Sequence, residues 1–424
     1  MKHAPTIGLG IVLTMLCGNA RAAADLSFDL SAYTAPSPFE LHGYAELRQE
    51  HQGLDANSPL YRLNFADSGR DALSRSIAAL ELSGSYRNGD SRIAGTWHGE
   101  QQHDELSDHG AGRFYELYLA HQPDAATTVE LGKRALKWGK GYAWNPVGFI
   151  ERPKDPNDPE LSREGYVIAG ADFIHTRGGD LHTIAFTPVL LPVTAAVNDD
   201  FGPETGLNAA AKLYLLYRDT DIDLLWLSDG SRPGRIGLDF SANLAPNFEV
   251  HGEYAYIHDH EQKVLDAGAM ITRSYDAHSW LLGLRYLSAR ETTWIAEYYH
   301  DDRGYCEAQM QDFLSRVDAA NEAMLPPLRS IGQAGYTRPA AMQDYLYLRV
   351  AQKDPFDILY FTPALTAIGN LDDHSWSLTP ELLYTGIDDL ELRLRATVLH
   401  GARLSEFGAK PNDSKVELRL RYSF

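Results

Sequence analysis

Apolar and polar residues alternate one by one along most of this chain, and the last segment shows the pattern most clearly. One face of this segment would contain Val416, Leu418, Leu420, Tyr422 and Phe424. The opposite face would contain Lys415, Glu417, Arg419, Arg421 and Ser423. A period of two predicts a β-strand with one apolar face and one polar face.

Segments of this kind recur about eighteen times, and the connections between them alternate in length. The segments begin near residues 39, 74, 91, 113, 127, 166, 179, 207, 220, 234, 248, 271, 291, 343, 357, 374, 389 and 414. The even-numbered connections are short, and most odd-numbered ones are long, namely 53–73, 103–112, 140–165, 194–206, 258–270, 301–342 and 402–413. Barrels of bacterial outer membranes combine short periplasmic turns with longer extracellular loops. We therefore predict a single closed antiparallel transmembrane β-barrel of about 18 strands, with about 16 as the alternative.

The first residues have the pattern of a signal peptide. Lys2 precedes an apolar run over 7–18, which is too short to span a bilayer, and Ala20-Arg21-Ala22 is a small-x-small cleavage site. We predict a signal peptide over 1–22, with cleavage after Ala24 as the alternative, a periplasmic leader over 23–38 and the barrel over 39–424. Cys306 would then be the only cysteine, which leaves no intrachain disulfide.

Composition narrows the class of protein further. The mean hydropathy of −0.33 is that of a soluble chain, but an alternating barrel wall gives a similar average. After the signal peptide no apolar run is long enough for a membrane helix. The net charge of −20 argues against a nucleic-acid partner. Four tryptophans are predicted as anchors on the lipid-facing side, namely Trp226, Trp280, Trp294 and Trp376.

The most distinctive stretch follows the fifth predicted strand. It reads LGK…WGKG…WNP…KDPNDPE…REG over residues 131–165, and its prolines and glycines restrict its path. It resembles the same region of porin-like outer-membrane barrels, the sort grouped with alginate-export-type channels and uncharacterised porins. The resemblance implies that the third outer loop, 140–165, folds into the lumen and narrows it. The candidate constriction residues are Trp138, Gly139, Gly141, Trp144, Asn145, Pro146, Asp155, Asp158, Glu160 and Glu164.

Five arginines would face this acidic loop from the wall. They lie on the inward faces of the first strand and the last two strands, which become neighbours when the barrel closes. We call this set the basic ladder: Arg48, Arg393, Arg395, Arg419 and Arg421. An acidic loop opposite a basic wall would create a transverse field that favours small polar solutes. Alternatively, the arginines pair with wall carboxylates such as Glu46, Glu391 and Glu417 and simply fill the wall.

Other features are weaker predictors. Residues 307–325 place Met310, Phe313, Leu314 and Val317 at helical spacing, which predicts a short helix in the longest outer loop. His258 with His260, and the stretch from His103 to His109, are candidate metal ligands, although such loops are more often simply solvated. No cofactor motif is present, and no Gly-x-Ser-x-Gly elbow suggests an enzyme.

The predicted function is a channel of the bacterial outer membrane for passive passage of small hydrophilic solutes. The alternatives are a non-conducting component of a lipid or polymer export system and an outer-membrane enzyme. The expected partners are outer-membrane lipid and lipopolysaccharide, the barrel assembly machinery that would read Tyr422 and Phe424, and the solutes; a homo-oligomer is an option. The sequence leaves open the solute, the ion selectivity, whether the lumen is plugged and whether 301–342 caps the mouth.

Overall fold

The structure is a computed structural model, and it describes residues 37–65, 68–161, 163–266 and 268–424. The predicted signal peptide and residues 23–36 of the predicted leader lie outside the described residues. From Pro38 to Phe424 the chain forms one compact unit.

Eighteen antiparallel strands form one closed sheet, in which each strand pairs with the next and β18 pairs with β1. Closure leaves no unpaired sheet edge, which is what a bilayer requires of a strand-based span. The strands are β1 (Phe39–Leu54), β2 (Ala72–Asn88), β3 (Ser91–Asp104), β4 (Asp108–Asp124), β5 (Thr127–Arg134), β6 (Tyr166–Thr176), β7 (Leu181–Val193), β8 (Gly206–Tyr217), β9 (Thr220–Leu227), β10 (Arg235–Ala245), β11 (Phe248–Asp266), β12 (Ala269–Leu287), β13 (Thr292–Asp301), β14 (Asp344–Gln352), β15 (Phe361–Asn370), β16 (Trp376–Ile387), β17 (Leu390–His400) and β18 (Asn412–Ser423).

The predicted count of 18 strands is confirmed, and five of the seven predicted long connections are long in the structure. Several predicted segments start at the same residue as the observed strand, among them those at 39, 91, 127, 166, 220 and 248. The largest differences are at β4, predicted from 113 and observed from Asp108, and at β15, predicted from 357 and observed from Phe361. The pattern locates strands well because every strand meets lipid on one face and the lumen on the other.

Two of the predicted long loops, 103–112 and 258–270, are wrong. β3 continues to Asp104 and β4 begins at Asp108, while β11 continues to Asp266 and β12 begins at Ala269. Both hairpins extend past the apolar belt because their backbone ladders continue where the outward residues become polar. On β11 and β12, for example, Tyr256 and His258 both bond to Asp276 at 2.7 and 2.9 Å.

The two faces of the strands differ as the alternation predicts. On β18, Leu418 is exposed on the outside, as is Phe424 directly after the strand, whereas Glu417 and Arg419 are buried on the inside. Trp226, Trp294 and Trp376 are likewise exposed on the outer face. An apolar belt around a closed barrel with a charged interior is the architecture of a bacterial outer-membrane protein.

Within the described residues, three α-helices lie in the outer loops: α1 (Pro59–Phe65) in L1 (55–71), and α2 (Glu307–Ala319) and α3 (Leu325–Ile331) in L7 (302–343). The predicted helix is thereby confirmed, and its Met310, Phe313, Leu314 and Val317 are buried. Among the described residues no helix has the length and apolar character to cross a bilayer.

The three helices do not stand free above the barrel. Leu63 of L1, Trp144 of the third outer loop, Phe313 of L7 and Phe407 of L9 (401–411) belong to one buried apolar cluster together with wall residues such as Tyr345. This cluster packs the outer loops against the upper part of one wall. The loops are therefore an ordered part of the fold.

Candidate functional site

The loop between β5 and β6, residues 135–165, turns into the lumen, and we call it L3. The turn depends on two glycines. Gly139 has a φ of +94°, and a Cβ there would lie 2.7 Å from Oε1 of Glu253 on the wall. A Cβ on Gly141 would lie 2.3 Å from the carbonyl oxygen of Trp144. Glycine is therefore required at both of these candidate constriction positions.

Two buried wall carboxylates hold the backbone of this turn. Oε1 of Glu253, on β11, accepts from the N–H groups of Lys140 at 2.6 Å and Gly141 at 2.5 Å, and its Oε2 accepts from Val147 at 3.1 Å. Glu297, on β13, accepts from Tyr142 and, at 2.8 Å, from Ala143. These bonds satisfy five loop N–H groups, which would otherwise be costly to bury.

A third attachment involves Lys140. Its Nζ lies 3.0 Å from Asp223 Oδ2 on β9 and 3.9 Å from Asp239 Oδ1 on β10. The two carboxylates are buried, and none of their oxygens has a hydrogen bond of good geometry, so the lysine contributes mainly by charge. Burial lowers the pKa of Lys140, but the two aspartates outweigh burial and raise it above its ordinary value.

Aromatic packing completes the first half of L3. Trp144 stacks on Tyr299 of β13 with ring centroids 5.0 Å apart, and it also contacts Tyr345 and Tyr347 of β14. Phe149 fits against Gly237 of β10, where a Cβ would lie 2.8 Å from its ring. Trp138 and Trp144, two of the candidate constriction residues, are both buried. Residues 138–149 therefore pack along the wall from β9 to β14.

The second half of L3 crosses to the opposite wall, where Asp158 contacts the basic ladder. Asp158 Oδ2 accepts from Arg395 Nη1 at 3.1 Å and from Arg419 Nη2 at 2.9 Å, and Arg393 Nη1 lies 3.9 Å from Oδ1. Burial alone would raise the pKa of the Asp158 carboxyl. The charges of Arg395 and Arg419 outweigh burial and hold that pKa well below its ordinary value.

L3 then returns to its starting strands through Glu164. This carboxylate bonds to Lys133 of β5 and lies 3.3 Å from Arg113 of β4. Within the loop, Glu151 accepts from the N–H of Trp138 and lies 3.2 Å from Arg163. The loop is thus attached at both ends and at its tip.

The other predicted loop residues have more varied positions. Asn145 donates to Glu151 at 3.3 Å, and Pro146 is buried. Asp155 accepts from the N–H of Asn157 at 2.9 Å and stabilises a local turn. Glu160 is exposed to the lumen, and no hydrogen bond or ion pair involves it within the described residues.

The basic ladder divides into two groups. Arg393, Arg395 and Arg419 surround Asp158, whereas Arg48 lies 3.6 Å from Glu100 and Arg421 bonds to Glu46 at 2.7 Å. The alternative of pairing along the wall also applies to the first group, since Arg393 lies 3.0 Å from Glu391 and Arg419 lies 2.9 Å from Glu417. Wall carboxylates therefore neutralise much of the basic ladder, and Asp158 contacts only Arg393, Arg395 and Arg419.

Sequence reasoning missed the wall residues that receive L3. They are Glu253 and Glu297 under the turn, Asp223 and Asp239 under Lys140, and Glu381, which accepts from Arg395 and lies 3.0 Å from Arg349. The first four are acids at inward positions of β9 to β13, and nothing near them in sequence marks them as partners of L3.

Two cavities lie beside the tip of L3. One has a volume of about 580 Å³ and lies between L3 and strands β2 to β5, with Tyr115, Lys137 and Glu160 in its lining. The other has a volume of about 360 Å³ and lies between the tip and strands β12 to β17, with Tyr142, Glu160 and Arg349 in its lining. Glu160 thus faces both cavities.

Two of the candidate metal ligands contact neighbouring aspartates instead of a shared metal position. His258 lies 2.9 Å from Asp276, and His103 lies 2.6 Å from Asp108. Across the part of the chain that the structure describes, no three histidine, cysteine or acidic side chains are grouped in a way that would hold a metal.

No protein-family model and no curated protein sequence matches this chain. Solved structures do match. OccK5 (OpdH) of Pseudomonas aeruginosa is 13% identical with a TM-score of 0.52, and OccAB2 of Acinetobacter baumannii is 10% identical with a TM-score of 0.52. OccK2 (OpdF) of P. aeruginosa, solved in complex with glucuronate, is 10% identical with a TM-score of 0.51. Each alignment covers 91% of this chain and 98% of the other. The chain shares their fold, while the resemblance to alginate-export-type channels stays a prediction.

Proposed function

We propose that this protein is a channel for passive passage of small hydrophilic solutes across the outer membrane, with L3 as its constriction. The observation that carries the proposal is the path of L3. The loop enters a charged lumen, is held at its tip by Asp158 against Arg395 and Arg419, and leaves a cavity on either side. A barrel of this strand number is wide enough to enclose water.

The charges around the tip favour hydrophilic solutes. Asp158 carries a negative charge into a ring of arginines, and Glu160 faces both cavities without a partner in the described residues. Fixed charges in a narrow passage order water and disfavour apolar solutes. Because Arg421 and Arg48 are paired with Glu46 and Glu100, the part of the ladder that contacts the loop is the group of arginines around Asp158.

Single-channel recording of the refolded protein in planar bilayers tests the proposal. We expect stepwise ion conductance, and we expect deletion of residues 146–160 to increase it because the deletion removes the tip. A closed barrel whose conductance stays absent after the deletion would contradict the proposal. Since OccK2 was solved with glucuronate, this sugar acid is the first solute to add, and a concentration-dependent block of the current would identify it as a ligand.

A second candidate is a non-conducting envelope component that serves a lipid or polymer export system. The observation that favours it is the buried apolar cluster through which L1, L3, L7 and L9 pack at the outer end of the barrel. The same recording separates the two candidates. The barrels to which this chain is similar are channels rather than enzymes, and we propose no enzymatic activity.

We also propose that the chain terminus directs insertion. Tyr422 and Phe424 are exposed on the outer face of the closing strand, where barrel assembly machinery would meet them. Membrane lipid and lipopolysaccharide are the proposed surroundings of the apolar belt, and a homo-oligomer is compatible with it.

A further inference from the structure

One periplasmic turn differs from all the others in length and composition. The turn between β14 and β15 runs from Lys353 to Tyr360, whereas the other seven contain two to four residues and no large apolar side chain. Four apolar side chains of this turn, those of Phe356, Ile358, Leu359 and Tyr360, are exposed. Phe356 is 89% exposed, the highest value among the exposed large apolar residues that the structure describes.

The backbone of this turn is fixed in an uncommon shape. Asp354, Phe356, Asp357 and Tyr360 have φ angles of +48°, +62°, +60° and +64°, in the left-handed region that disfavours residues with a Cβ. Asp354 stabilises the shape, because its Oδ1 accepts from the N–H of Tyr360 at 2.6 Å and its own N–H donates to the carbonyl of Phe361 at 2.9 Å. The turn therefore presents its apolar side chains from a defined backbone.

Hydrogen bonds to both neighbours keep the turn at the height of the barrel rim. On one side the N–H of Lys353 donates to the carbonyl of Glu291, in the turn between β12 and β13, at 3.3 Å. On the other side the N–H of Thr385, near the end of β16, donates to the carbonyl of Tyr360 at 3.0 Å. Both ends of the turn thus lie level with the adjacent strand ends.

The apolar surface of the turn is continuous with the lipid-facing belt. Residues at odd positions of β15 point outward, as Leu365 shows by its exposure, and Phe361, which follows the turn directly, belongs to this row. Phe361 pairs across the sheet with Tyr384, which is also exposed on the outside. Four apolar side chains left in water would be unfavourable, and the lipid that covers the belt is available at the same height.

We propose that the turn from Lys353 to Tyr360 inserts into the periplasmic leaflet of the outer membrane and anchors the barrel there at a fixed depth. The turn would lie at the boundary between lipid headgroups and acyl chains. The charged neighbours are of both signs, with Lys353 and Arg290 against Asp357 and Glu291, so the contact does not select lipids by headgroup charge. The proposal does not depend on whether the barrel conducts.

Spin labels measure this depth directly. With both cysteines replaced by serine, a nitroxide is attached at Phe356→Cys and, as a matched control on a two-residue turn without large apolar side chains, at Ala125→Cys. Electron paramagnetic resonance in phospholipid bilayers then compares the collision rate of each label with oxygen, which concentrates in lipid, and with a water-soluble nickel complex. We expect the oxygen-to-nickel ratio to be at least about threefold higher at 356 than at 125, as for a side chain in the membrane interface.

Two results would overturn the proposal. Equal ratios at 356 and 125 would show that the turn faces water and is available to a periplasmic partner. Dipolar broadening at 356 that disappears on dilution with unlabelled protein would show that a second copy covers the turn. Labels at Ile358→Cys and Leu359→Cys repeat the measurement at independent sites, so a local disturbance by one label does not decide the outcome.

Discussion

Asp158 of L3 and Arg419 of β18 are 2.9 Å apart across the lumen, although 261 residues separate them in sequence. L3 is attached to the wall at two places, and the signs of the charges are reversed between them. At the turn of L3, loop N–H groups and Lys140 meet carboxylates of the wall; at the tip, a loop carboxylate meets arginines of the wall. The acidic side of the wall and its basic side therefore hold opposite ends of the same loop.

Replacement of Asp158 by asparagine should release the tip. The substitution removes the negative charge between Arg395 and Arg419, and breaking a buried ion pair from one side costs about 3 kcal/mol. We expect the conductance of D158N to rise by roughly twofold, with larger current fluctuations, because the tip would move within the lumen. Single-channel recording measures both quantities.

Asp180→Asn is the matched control for this variant. Asp180 forms an exposed ion pair with Arg218 at 2.6 Å between two periplasmic turns, outside L3. Exposed pairs contribute little to stability, so the D180N channel should behave as the parent protein does. If D158N and D180N both leave the current unchanged, Asp158 does not position the constriction.

The tip should also be insensitive to mild acid. The pKa of Asp158 is lowered below its ordinary value. Its ion pairs therefore stabilise the attachment of the tip to the wall at every pH above the ordinary carboxyl pKa of about 4. This stabilisation is lost only as the pH falls towards the lowered pKa. We expect Asp158 to cause no change of conductance between about pH 8 and pH 5, so the pH dependence of the parent protein and of D158N should agree there; a transition in that interval that is absent from D158N would contradict the assignment.

The strands and the inward turn of L3 were predictable, whereas the wall residues that receive L3 were not. Alternation is a local consequence of lipid outside and water inside, and Gly139 and Gly141 signal a sharp turn by their residue type alone. Glu253 carries no such signal. It follows Gly141 by 112 residues, and nothing near it in sequence distinguishes a carboxylate that binds loop N–H groups from one that faces water.

The errors at 103–112 and 258–270 have a related cause. Histidine and acidic residues look like loop composition, but a strand that has passed the apolar belt also becomes polar on its outer face. The hydrogen bond of Tyr254 to His278 at 2.7 Å joins outward residues of β11 and β12 in this way. Only the pairing register distinguishes an extended hairpin from a loop.

Replacement of Gly141 by alanine should displace L3 without removing any charge. The added Cβ would lie 2.3 Å from the carbonyl oxygen of Trp144 and 2.9 Å from Leu281 Cδ1. Overpacking of this kind costs about 1–3 kcal/mol, and we expect a lower free energy of unfolding together with faster proteolysis within L3. The control is Gly178→Ala, where a Cβ meets nothing within 4 Å. Equal stability of the two variants would show that L3 tolerates the displacement.

The outer helices should loosen when Arg62 is replaced by glutamine. Arg62 of α1 donates to the carbonyls of Asp318 and, at 2.6 Å, of Ala320, and so caps the end of α2. A cation at a helix C-terminus contributes about 1–2 kcal/mol in a partly buried setting. We expect faster hydrogen exchange in residues 307–319 of R62Q. Arg70→Gln, in the same loop but away from α2, should leave that exchange rate unchanged, and no difference between the two variants would argue against the cap.

Loss of Phe424 should impair insertion before it impairs transport. The N–H of Phe424 donates to the carbonyl of Gly43 at 3.0 Å, and the N–H of Gly43 donates back to the carbonyl of Phe424 at 2.9 Å. The last residue thus closes the seam between β18 and β1, and its ring is exposed towards lipid. Deletion removes both bonds and the aromatic ring, so we expect the amount of protein in the membrane to fall several-fold.

Phe424→Tyr keeps both features and should insert normally, whereas Phe424→Ala keeps the bonds and removes the ring. A normal membrane level of Phe424→Ala would restrict the role of the terminus to the hydrogen bonds of the seam, and a normal level of the deletion would remove that role as well.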